Sequence, residues 1–193
     1  MRDMKIKSFL VYVILLSFLS GYSQKEDSYE LKILFSGMIE DHKMDYQKSK
    51  KESRIIVSRL VSNSSSSEKD YLKMKELIAE NKKDALRKVI QITEKYKEYE
   101  RDTLYIESEN SLEKTVTDFV QNWKRIKNEM ELKPDNRLIL DGYGVVIFLK
   151  TNELNYDHIS ARSPSSTSHP EIFDLISKMK AFYKKEAENP ILE

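Results

Sequence analysis

Apolar residues recur along this chain with two periods, about two residues and about 3.6 residues, and the change from one to the other marks off its elements. An unbroken apolar run, the eleven residues Phe9 to Leu19, precedes the periodic part. Tyr29 to Phe35 then sets Leu31, Ile33 and Phe35 between other residues, which predicts a strand. Glu40 to Glu52 is polar and lysine-rich, and its structure is left open. Arg54 to Val61 is β-branched and reads as a second strand. The serine run Ser62 to Ser67 is a loop, and one of its hydroxyls is expected to accept a free backbone N–H at the next helix start. From Glu68 to Tyr99, the residues Tyr71, Met74, Leu77, Ile78, Leu86, Val89, Ile90 and Tyr96 fall at helical spacing. The stripe lapses over Glu80 to Asp84, where one helix can become two. That lapse also breaks the register of a long coiled coil, so packing within the chain is expected.

In the second half, Asp102 to Glu107 reads as a short strand. Asn110 and Glu113 have the spacing of a capping box. The helix they open is expected to run to about Glu131, on a stripe of Leu112, Val116, Phe119, Val120, Trp123, Ile126 and Met130. Lys133-Pro134-Asp135-Asn136 stops it. Arg137 to Leu140 and Tyr143 to Lys150 flank Asp141-Gly142, a hairpin signal because both turn positions tolerate positive φ. Val145 to Leu149 is apolar throughout, which predicts a strand covered on both faces. Tyr156 to Ala161 is a third strand of this part, and Ser163 to Ser168 a loop. His169-Pro170-Glu171 opens a last helix with Ile172, Leu175, Ile176, Met179, Phe182 and Tyr183 on one face. The fold expected is α+β: one antiparallel sheet with three or more amphipathic helices packed against it. It includes a C-terminal hairpin, strand and helix unit over about 137–185.

Leu140-Asp141-Gly142, the apolar strand, Ala161-Arg162-Ser163-Pro164 and Ser168-His169-Pro170-Glu171 resemble the C-terminal part of small exported bacterial proteins of unknown function. The resemblance covers about a quarter of the chain. It implies a compartment and a fold fragment, and no mechanism.

The N-terminus supports the same compartment. Arg2, Lys5 and Lys7 precede the apolar run, and small Gly21 and Ser23 stand where an export peptidase reads its −3 and −1 positions. Residues 1–23 are therefore expected to be a cleaved signal, with Gln24 the new N-terminus and 24–193 one domain. The run is roughly half of what a spanning helix needs, so no stable membrane insertion is expected after cleavage. With no cysteine, the chain cannot form disulfides, thiol nucleophiles, cysteine-ligated zinc or a lipid-modified cysteine. The first 23 residues hold three basic and one acidic side chain of the 33 and 32 in the chain, leaving 30 against 31. So even a balance argues against nucleic acid as a partner.

Candidate chemistry is sparse. His42, His158 and His169 each have a carboxylate nearby in sequence, but no pair has the i, i+4 spacing that puts two metal ligands on one helical face. His169 is explained by its place at a helix start, and neither metal nor cofactor is expected. Ser163, Ser165, Ser166 and Ser168 lie near His169, without the glycines of a strained nucleophile turn. The reading these residues favour is an exported, non-catalytic module that binds a protein partner. Its expected surface is the rim of the C-terminal unit: Tyr143, Tyr156 and the loop from Ser163 to Ser168. The alternative is a small exported hydrolase, metal-assisted through His158 and His169.

Overall fold

The computed structural model describes residues 28–37, 42–80, 84–107, 110–137, 142–152 and 156–192. The expected signal and its cleavage point lie outside them. Six strands form one antiparallel sheet: β1 (Tyr29–Ser36), β2 (His42–Lys48), β3 (Ser53–Asn63), β4 (Lys97–Ile106), β5 (Gly144–Thr151) and β6 (Asp157–Arg162). Their order is β4-β3-β2-β1-β5-β6. Five helices are described: α1 (Glu68–Glu80), α2 (Ala85–Thr93), α3 (Ser111–Gln121), α4 (Trp123–Leu132) and α5 (Pro170–Glu186). The α+β fold read from the sequence is the fold observed.

Strand alternation builds the core. Leu31 and Ile33 of β1 stand opposite Tyr46 and Met44 on one side and Leu149 and Ile147 on the other, all fully buried. Onto this face pack Val116 and Phe119 of α3, Trp123 and Ile126 of α4, and Leu175, Met179 and Tyr183 of α5. Burying this many large apolar side chains supplies most of the favourable free energy of folding, at about 1.5–3 kcal/mol each. The other face is different. Glu30 and Lys32 of β1, Lys43 and Asp45 of β2 and Phe148 of β5 alternate with the core residues and so point away from it. Helix α2 lies on this side. Glu94, just past its end, takes Lys43 Nζ at 2.6 Å, and Ala85 and Ile92 are buried. Phe148 is buried too, so β5 is covered on both faces as its sequence predicts.

Several local expectations are met. Ser67 Oγ receives the Asp70 N–H at 3.2 Å, capping α1. Asn110 Oδ1 receives the Leu112 N–H at 2.9 Å. The capping box is only half made: Glu113 turns to Lys48 at 2.8 Å, and the Asn110 N–H finds the Glu107 carbonyl instead.

Other expectations are corrected. His42 to Lys48 is a strand at the sheet's centre, its polar Lys43 and Asp45 alternating with Met44 and Tyr46. The helical pattern of 68–99 ends at Thr93; a 3-10 turn follows, and Lys97 already belongs to β4. The helix expected to run to Glu131 is interrupted at Asn122, whose Nδ2 donates back to the Asp118 carbonyl at 2.8 Å. Residues 138–141, where the Asp141-Gly142 hairpin was expected, lie outside the described residues.

Candidate interaction surface

The rim residues expected to act together are divided between the two ends of the β5–β6 pair. Gly144 pairs with Arg162 and Leu149 with Asp157, so Tyr143 and Ser163 sit at one end and Tyr156 at the other. Six residues of strand, about 20 Å, separate them. At the first end the backbone is locked: Ser163 N–H donates to the Tyr143 carbonyl at 2.8 Å, and Tyr143 N–H to Ser163 Oγ at 3.1 Å. These bonds hold Ser163 at φ 41°, an uncommon conformation for a serine. The Tyr143 ring is half-buried beside Phe35, with centroids 6.4 Å apart, and burial pushes its hydroxyl pKa up. Tyr156, also at positive φ, lies under two cations, with Lys150 Nζ 5.3 Å and the Arg87 guanidinium 5.8 Å from its ring centre.

Ser168 belongs to a serine turn. Its Oγ accepts the Ser165 N–H at 3.1 Å, lies 2.9 Å from Ser165 Oγ and 3.1 Å from His169 Nδ1. Burial lowers the His169 pKa; nearby Asp135 opposes that shift and Arg137 adds to it. Arg137 in turn pulls Asp135 down to about 2 through hydrogen bonds of 2.7 and 2.8 Å.

The structure brings His158 and His169 to one groove of about 530 Å³, between β6, the C-terminal half of α4 and the segment after it. Asp135 lines it as well. Among the described residues, however, no group of three or more His, Asp or Glu is placed to hold a metal ion. His42 is remote from this groove, stacked on Phe35 at 4.2 Å. Beneath the groove, Asp157 accepts the Trp123 indole N–H at 2.9 Å and Lys127 Nζ at 2.5 Å. Burial raises its pKa, but these bonds and one from the His158 N–H outweigh it and hold the carboxyl below its usual range.

Sequence reasoning missed the outward side of α1. None of its thirteen residues is buried, and Tyr71, Leu72 and Ile78 are 48%, 52% and 65% exposed. Tyr71 and Ile78 are seven residues apart and share one face. Met74 and Leu77 are half-buried. The stripe itself was legible; that the sheet leaves part of it uncovered was not. The helix is tied down by its polar edge, where Tyr96 Oη donates to Asp70 at 2.8 Å and accepts the Ser67 N–H at 3.1 Å.

Among the described residues no helix is long and apolar enough to cross a membrane. No family model matches the chain, and neither a curated protein nor a solved structure matches it.

Proposed function

We propose that this protein is exported and acts outside the cytoplasm as a non-catalytic module that binds a protein partner. The N-terminal sequence supports export. The observation that carries the binding reading is α1, a helix with no buried residue that holds Tyr71, Leu72 and Ile78 in solvent. Exposed large apolar side chains concentrated on one element are what an interface core is made of, and tyrosine is among the residues that dominate interface energetics. The test compares the protein with a Tyr71→Ser, Ile78→Ser double variant in pull-downs from an envelope extract of its host. Loss of the captured partner with unchanged melting supports the reading. The same partner captured by both removes α1 from it. Intact-mass measurement of protein from the host tests export, with Gln24 expected as the first residue.

A second reading is a small exported hydrolase, and one observation favours it: Ser168 Oγ lies 3.1 Å from His169 Nδ1 beside a groove that His158 also lines. Ser168 already serves the turn into α5, which accounts for the contact without chemistry. Turnover of a peptide or glycan substrate that vanishes in both Ser168→Ala and His169→Ala would establish this reading over the first. One equivalent of metal, lost on changing His158 and His169, would make it metal-assisted.

A further inference from the structure

The sheet has two edges, β4 and β6. Edge strands carry unpaired backbone groups, and proteins commonly guard them with charge. β4 does so with Lys97, Glu98, Glu100, Arg101 and Asp102. β6 is less guarded. Five consecutive residues, His158 to Arg162, line the single groove beside α4. Successive side chains of a strand point to opposite faces, so only its backbone edge presents five in a row to one cavity.

Two bonds fix which backbone groups face that way. Ser163 N–H points to β5, donating to Tyr143. The Arg162 carbonyl points to the other side, where Arg137 Nη2 reaches it at 2.7 Å. In an antiparallel pair, N–H and C=O of one residue point the same way and alternate along the strand. Ser160 therefore turns both groups to the groove, and Arg162 its N–H. Ser160 and Arg162 are exposed, and no described residue takes the Ser160 groups on that side.

The lining specifies a partner. Four cations, Lys127, Lys133, Arg137 and Arg162, face two carboxylates, Glu131 and Asp135. Lys127 and Arg137 are held by Asp157 and Asp135, which leaves Lys133 and Arg162, against the single carboxylate of Glu131, with no ion pair among the described residues, a net positive lining. Met130 and Pro134 add apolar surface.

We propose that this groove binds an extended acidic segment of a partner protein, added to the sheet as a seventh strand beside β6. The segment sets apolar residues against Met130 and Pro134 and carboxylates toward Arg162 and Lys133, and its backbone pairs with Ser160. A second copy of the chain is the poorer occupant, because β6 against β6 brings two cationic rims together. The site goes beyond the α1 surface and does not depend on it.

The test uses fluorescence anisotropy with two capped eight-residue peptides, one alternating valine and glutamate, the other valine and lysine. The glutamate peptide is expected to bind, at least about tenfold tighter than the lysine peptide. Ser160→Pro removes the donor that faces the groove while sparing the ladder to β5, and is expected to abolish binding at an unchanged melting temperature. Lys133→Glu with Arg162→Glu leaves the backbone alone and is expected to reverse the peptide preference; it decides the matter should the proline variant fail to fold. Absence of binding by the glutamate peptide, equal binding of both, or a preference untouched by charge reversal overturns the proposal. So does sedimentation of the free protein as a dimer that the charge-reversed variant dissociates, since a second copy then owns the edge.

Discussion

Helices α5 and α1 carry apolar residues at the same kind of spacing, Ile172, Leu175, Ile176, Met179 and Tyr183 in one and Tyr71, Met74, Leu77 and Ile78 in the other. All five in α5 are buried, and none of the four in α1 is. The helices belong to opposite faces of the sheet. On the α3–α5 face, strands contribute Leu31, Ile33, Met44, Ile55 and Ile147, and an apolar stripe finds apolar cover. On the α2 face, the same strands contribute Lys32, Lys43, Asp45 and Ser58 among Leu34, Ile56 and Phe148, and the residues buried there beside Ala85 and Ile92 of α2 include the charged Lys43 and Asp45. A helix arriving there has less apolar surface to bury. Helix α2 takes it, and α1 is left in solvent. A stripe thus reports that a helix needs cover, and the partner face decides whether it gets any.

The largest expected effect breaks the covered layer. Leu175 is fully buried against the sheet. Leu175→Ala should lose about 2–5 kcal/mol in denaturant unfolding, from lost transfer energy and the cavity left behind. A loss under about 1 kcal/mol would mean that this layer packs no better than the other.

The next prediction sharpens the contrast between the faces through pH. Burial raises the Asp45 pKa from 3.8 to about 6, with Lys32 and Lys43 pulling it down. Its Oδ1 accepts no hydrogen bond from a described residue, and Lys32 Nζ is 4.0 Å from Oδ2. Because the folded state binds this proton more tightly than the unfolded chain, stability falls as pH rises from about 4 through about 6. A rise of this size in the carboxyl pKa corresponds to about 2–3 kcal/mol. Asp45→Asn should therefore stabilise the protein at pH 7.5 and have little effect at pH 4, as read from melting at both values. Equal effects at the two values would show that Asp45 is not desolvated.

The smallest effects belong to α1. Ile78→Ser should change unfolding free energy by no more than about 0.5 kcal/mol, because the side chain is already in water. Hydrogen exchange should open α1 well before α5, since few apolar contacts hold it. Protection of α1 equal to that of α5 in the isolated protein would overturn the comparison.

The sequence by itself determined a good deal here. Strand alternation in Tyr29–Phe35, the apolar run Val145–Leu149, the serine cap at Ser67, the asparagine cap at Asn110 and the proline start of α5 were readable because each depends on neighbours within a few residues. The missed strand His42–Lys48 has the same alternation, hidden because Lys43 and Asp45 are charged and yet buried. Only the assembled sheet, with α2 above, encloses them. The break at Asn122 and the strand start at Lys97 escaped for a related reason: local spacing there also fits a continuous helix. The tertiary structure alone decided the candidate surfaces. It parted Tyr156 from Tyr143 along an antiparallel strand pair, set His158 and His169 along one groove with the His158 ring against Phe148, and left β6 as an edge and α1 uncovered. Each of these depends on strand order and on which face a helix meets. Those are contacts between residues far apart in sequence, and a local pattern carries no record of them.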